Sequence, residues 1–101
     1  MKIAISSEGN TLSSLIDSRF GRCDFFAIFD TETQDTIFFP NPAKESSEGA
    51  GPAAVQFIAS KGVKKIVSGE FGGKIKSLLD NLQIDMVNDS GKSISEIIKQ
   101  F

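Results

Sequence analysis

The chain has 101 residues, 11 basic and 13 acidic, for a net charge of −2, with one cysteine and no histidine. That length suits a single domain, 1–101, able to bury roughly 60–70% of its unfolded surface without a disulfide, while the balanced charge argues against nucleic acid or a basic membrane patch as partners. No apolar run approaches the roughly 18–20 residues of a membrane span, and Lys2-Ile3-Ala4-Ile5 is too short for a signal-peptide core, so a cytoplasmic location is expected.

Ile3-Ala4-Ile5, stopped by Ser6 to Asn10, reads as a buried first strand. Thr11 to Asp24 is irregular, with Leu12, Leu15 and Ile16 spaced for one helical turn. Phe25 to Phe29 and Thr36 to Phe39 are strand-favouring runs on either side of the polar turn Asp30 to Asp35, and form a predicted antiparallel hairpin. Pro40 and Pro42 end it and open a polar loop from Asn41 to Glu48. A helix is predicted from Gly51, with Pro52 at its first position, Ala54 and Ile58 on one face and Gly62 as its stop. Lys64 to Ser68 gives a fourth strand, and Ile75, Leu78, Leu79 and Leu82 mark one face of a second helix. Ile84 to Val87 forms the last strand. Ser93 and Glu96 have capping-box spacing ahead of a third helix that faces inward through Ile94, Ile97, Ile98 and Phe101.

The predicted order is β-β-β-α-β-α-β-α. An opening meander followed by right-handed crossovers builds a three-layer α/β domain with a mixed sheet of about five strands and helices on both faces. If only the second strand runs antiparallel, one sheet edge gathers Ser6 to Asn10, Arg19 to Cys23, Asn41 to Gly51 and Gly69 to Lys74. Ligands of open α/β sheets bind beyond the carboxyl ends of the strands, which is that edge.

Without histidine, chemistry is left to thiolate, carboxylate, Lys, Arg and backbone. Gly49-Ala50-Gly51 and Gly72-Gly73-Lys74 each lead into a helix start, where free N–H groups and the positive end of the helix dipole favour an anion. With Arg19 and Arg22 they suit a compact polyanion. Cys23 has two readings: a small buried residue, or a thiolate stabilised by Arg22, with a lowered pKa, able to bind a soft metal centre. One thiol makes no closed metal site, so such a centre must bring its own inorganic ligands or be shared across a dimer. Phe20 reads as packing or as a pocket wall beside Gly21.

Met1-Lys2-Ile3-Ala4-Ile5, Phe20-Gly21-Arg22-Cys23 followed by Phe26, Asn41-Pro42 through Gly49-Ala50-Gly51, and Gly69 with Gly72 before a helix resemble, in this order, the dinitrogenase iron-molybdenum cofactor biosynthesis family. That family includes NifX-type carriers and the C-terminal domain of NifB-type proteins. The resemblance implies a ribonuclease-H-like motif and a non-enzymatic carrier of an iron-sulfur or molybdenum-containing cluster, passed between donor and acceptor proteins. Its cofactor-binding residues would be Arg19, Phe20, Gly21, Arg22, Cys23, Gly49, Gly51, Gly72, Gly73 and Lys74, with Cys23 the one candidate metal ligand. Two other functions compete. One is a regulatory module binding a nucleotide or phosphorylated metabolite at the same edge; the other is a metal-dependent phosphotransfer or nuclease enzyme. The latter needs grouped carboxylates, whereas Glu8, Glu70, Asp85 and Asp89 are scattered.

Overall fold

The computed structural model describes residues 1–46 and 48–101, so Ser47 of the expected Asn41 to Glu48 loop lies outside the described residues. Its strands are β1 (Lys2–Ser7), β2 (Phe25–Asp30), β3 (Thr36–Pro40), β4 (Val63–Ser68) and β5 (Asp85–Asn88), and its helices are α1 (Ala50–Ser60), α2 (Gly73–Asn81) and α3 (Ile94–Ile98). They make one sheet in the order β3-β2-β1-β4-β5. β2 runs antiparallel to β1 and β3, while β1, β4 and β5 run parallel, so β2 alone is reversed, as expected. This is the mixed, three-layer α/β sheet of the ribonuclease-H-like motif.

The alternation of side chains across each strand builds two cores. On one face Ala4, Phe26, Ile28 and Ile66 meet Ala54, Val55 and Ile58 of α1 and Ile75 and Leu79 of α2. On the other Ile3, Ile5, Ala27, Phe29 and Val67 meet Ile94 and Ile97 of α3, with Ile16 beside them. The short α3 is held at its start by the expected capping box: the Glu96 N–H donates to the Ser93 hydroxyl at 3.2 Å and the Ser93 N–H to the Glu96 carboxylate at 3.1 Å. Among the described residues no helix is long and apolar enough to cross a membrane.

Several local expectations are corrected. Leu15 and Ile16 are extended rather than helical, bridging Ser93 and Ser7, and Leu12 and Leu15 are exposed. The demand for backbone partners at the ends of β1 and α3 outweighs a three-residue helical pattern. α1 starts at Ala50, so Pro52 stands third in the helix; every first-turn N–H lacks an intrahelical partner, which makes proline tolerable there too. Leu82 and Phe101 are exposed because α2 and α3 end at Asn81 and Ile98 before reaching them. Phe101 instead lies beneath the Lys65 ammonium, 5.2 Å from its ring centroid.

Candidate functional site

Three segments distant in sequence converge beyond the carboxyl ends of β1 and β4. Gly21 packs directly on the start of α1: a Cβ there would come within 3.0 Å of the Gly51 Cα and N, a contact only glycine permits. Arg19 forms a parallel backbone bridge with Glu70, and the Gly69 N–H donates to the Asp17 carbonyl at 3.4 Å, which ties the same loop to the approach to α2. The Asp30 to Asp35 turn lies at the opposite end of the strands.

Asn41 latches the loop from below. Its side-chain amide donates to the carbonyls of Gly21 (3.1 Å) and Cys23 (3.0 Å), and its carbonyl oxygen accepts from the Ala43 N–H (2.9 Å). Asp17 holds it from the other side. The buried carboxylate accepts from the Arg19 backbone N–H at 2.8 Å and from its guanidinium at 2.9 Å and 3.1 Å. Burial alone would raise the Asp17 pKa, but the Arg19 hydrogen bonds outweigh it and hold the carboxyl below its ordinary value. The Ser6 hydroxyl donates to the Asp17 carbonyl at 2.6 Å and lies 2.7 Å from the Ser68 hydroxyl, so the ends of β1 and β4 are pinned to the same turn.

The expected site residues divide by what they face. Phe20 is buried, with its ring centroid 5.6 Å from Phe26 and 5.8 Å from Phe71; it packs the core beneath the loop. Cys23 is also inside, fully buried, with its S–H donating to the Phe20 carbonyl at 3.3 Å. The expectation of a lowered thiol pKa is overturned: burial first, and then the Asp17 charge, push it up to about 12. The neighbouring Arg22 cannot offset this, because its guanidinium is turned away to donate to the carbonyls of Lys44 and Ser46. Arg19 is committed to Asp17, though its side chain stays 59% exposed.

Among the described residues, the expected site groups that face solvent without a side-chain partner are backbone and the Lys74 ammonium, since Arg19 and Arg22 are exposed but already bonded. Gly49, Gly72, Gly73 and Lys74 are exposed, and Gly51 is half-buried. Gly49 caps α1 at φ +67°, a left-handed conformation that glycine adopts without strain. Among the described residues no side chain accepts from the first-turn amides of α1 or α2, and neither helix has an acidic residue in its first turn, in contrast to the closed capping box of α3. Among the described residues no hydrogen-bond acceptor is placed on the N–H groups of Ala50 and Gly51 of α1 or of Gly73, Lys74 and Ile75 of α2. Two uncapped helix starts beside Lys74 attract negative charge. A bare metal ion has no comparable provision: among the described residues no three His, Cys, Asp or Glu side chains cluster to hold one.

Asn41 and Asp17 are the residues that sequence reasoning missed. The Asp17-x-Arg19 spacing and the Asn41-Pro42 turn, which favours side-chain to backbone bonds, were the available signals.

Comparisons with known proteins cover the whole of this arrangement. Residues 1–101 match the family model described as dinitrogenase iron-molybdenum cofactor. The apo form of the orange protein from Desulfovibrio gigas superposes with a TM-score of 0.93 at 30% identity, covering 99% of this chain and 85% of that one. A putative NifB protein from Thermotoga superposes at 0.85 with 31% identity over 99% and 85%. An uncharacterized protein of Methanocaldococcus jannaschii is 34% identical over 104 aligned residues, 100% of this chain and 85% of its own.

Proposed function

The chain belongs to the dinitrogenase iron-molybdenum cofactor family, and from that footing we propose that it is a small non-enzymatic carrier of an anionic metal-sulfur cluster, iron-sulfur or molybdenum-containing, received from a donor protein and passed to an acceptor. The observation that carries this reading is the pair of uncapped helix starts, α1 and α2, brought to one edge with Lys74 while α3 is capped by its own side chains. A preformed thiometallate supplies its own sulfide ligands and needs charge-matched donors rather than a protein ligand set. N–H groups and a lysine meet that need, and such a cargo asks for no cluster of metal-ligating side chains, of which there is none among the described residues. A relative solved in an apo form supports a binding role over a purely structural one.

In this reading Cys23 shapes the loop from within. Direct ligation by its sulfur would require the Phe20 to Cys23 turn to open and the thiol to ionise. The test is anaerobic reconstitution followed by metal and sulfide analysis of the parent, Lys74→Glu and Cys23→Ser. Lys74→Glu is expected to lose most of the retained metal at unchanged melting temperature, with retention by the parent falling as salt rises, while Cys23→Ser keeps its metal. Loss of metal in Cys23→Ser alone, at an unchanged melting temperature, would replace the electrostatic account with thiolate ligation.

A further inference from the structure

The far side of the sheet carries a feature that cluster binding does not use. β3 is an edge strand, bordered by β2 alone. Beside it lies a cleft of about 200 Å³ whose lining includes Ile28, Asp35, Ile37, Phe39 and Lys61, with Ile37 58% exposed.

The backbone phase of this edge follows from the hydrogen bonds at its two ends. The Asn41 N–H donates to the Asp24 carbonyl and the Asp30 N–H to the Asp35 carbonyl, each at 3.0 Å. Bonded pairs alternate along an antiparallel ladder, so Phe39 and Ile37 bond inward to Phe26 and Ile28. Thr36 and Phe38 therefore turn their N–H and C=O groups outward. Pro40, next in that series, has no N–H to offer. An exposed apolar edge with free backbone groups is a template for another strand.

We propose that this edge is the interface of a symmetric homodimer, in which β3 pairs antiparallel with β3 of a second copy about a two-fold axis at Ile37. In that register Thr36 lies opposite Phe38 of the second copy and the reverse, each pair exchanging two hydrogen bonds, and Pro40 falls outside the bonded region. Centring the axis on Phe38 would form no more bonds, would oppose Thr36 to Pro40 so that the Thr36 carbonyl of each copy finds no donor inside the ladder, and would set Ile37 against Phe39. Ile37 meets Ile37 of the second copy, which covers the exposed apolar side chain.

Charge complementarity selects a second copy as the occupant. Residues 35, 37 and 39 share one face of the strand, so Phe39 sits opposite Asp35 of the second copy. The Lys61 ammonium lies 4.5 Å above the Phe39 ring and is thereby brought against that carboxylate. Among the described residues neither Lys61 nor Asp35 has an ion-pair partner. Asp35 also stands beside Asp30 in a cross-strand row whose only cation is Lys2. Lys61 of each copy thus meets Asp35 of the other, and the two-fold axis forms the pair twice.

Sedimentation velocity tests the interface. So small a contact predicts a reversible dimer that fills as concentration rises from about 10 µM to about 1 mM. Lys61→Glu and Asp35→Lys, both at solvent-accessible positions, should each weaken association at least about tenfold, because like charges then face each other twice. Mixing the two variants in equal amounts should restore the dimer as a heterodimer, since every 61–35 pair is again of opposite sign. Ile37→Lys should be monomeric with an unchanged circular dichroism spectrum. A parent that stays monomeric at about 1 mM overturns the proposal and leaves the cleft to a small molecule or a different protein. Single variants that associate like the parent, or a mixture that regains nothing, overturn it as well.

Discussion

Cys23 gives the sharpest quantitative expectation. Its sulfur is fully buried and its pKa is pushed up from 9.0 to about 12 by burial and the Asp17 charge. Only the thiolate is nucleophilic, so near pH 8 the reactive fraction is about one part in ten thousand in the folded protein and about one in ten in the unfolded chain. Alkylation by iodoacetamide, followed by mass spectrometry, should therefore run about a thousandfold slower in native buffer than in urea at the same pH. The same shift has a thermodynamic face. An acid whose folded pKa is raised keeps its proton where the unfolded thiol has lost it, so its contribution is complete below about pH 9 and is lost as pH climbs toward 12. Three pH units at 1.36 kcal/mol each amount to about 4 kcal/mol across that window. Cys23→Ala should flatten the alkaline limb of the stability profile. Native alkylation within tenfold of the unfolded rate would refute both the burial argument and the structural role given to the thiol.

Asp17 should act in the opposite direction: its carboxyl is held below its ordinary value of 3.8 in the fold, so its stabilisation is present above that value and lost as pH falls below it. Asp17→Asn should remove that acid-side slope in urea melts. Ser93→Ala should cost about 1 kcal/mol by opening the α3 capping box, read as a shift of the urea midpoint at constant slope. Gly72→Val should weaken thiometallate binding without lowering the melting temperature, since a side chain there meets nothing within 4 Å, whereas Gly51→Val should lower both because it runs into Ile75.

The fold was readable in the sequence because the helices carried their period and the strands were short apolar runs bounded by turn residues. Phe25 to Phe29 is a strand-favouring apolar run whose Phe26 to Phe29 alternate between the two cores, and Ser93 with Glu96 announced the start of α3. The convergence of the glycine junctions followed from strand order alone. What the site's side chains do was not readable, because a loop has no period to say which way a residue points. Arg19, Arg22 and Cys23 are close neighbours, yet one is paired with Asp17, one braces the Asn41 to Ser46 stretch, and one is buried. Those assignments depend on Asp17, Lys44 and Phe20, partners that only the folded backbone brings into reach.

The central claim is that the starts of α1 and α2 hold an anionic metal-sulfur species by backbone and charge. An anaerobic titration of nitrogen-15-labelled protein with tetrathiomolybdate, followed by amide chemical shifts, addresses it directly. The account predicts the largest shifts at Ala50, Gly51, Gly73, Lys74 and Ile75, diminished by added salt and unchanged in Cys23→Ser. Shifts confined to the Ile37 and Lys61 cleft, or none at all at saturating concentration, would contradict it.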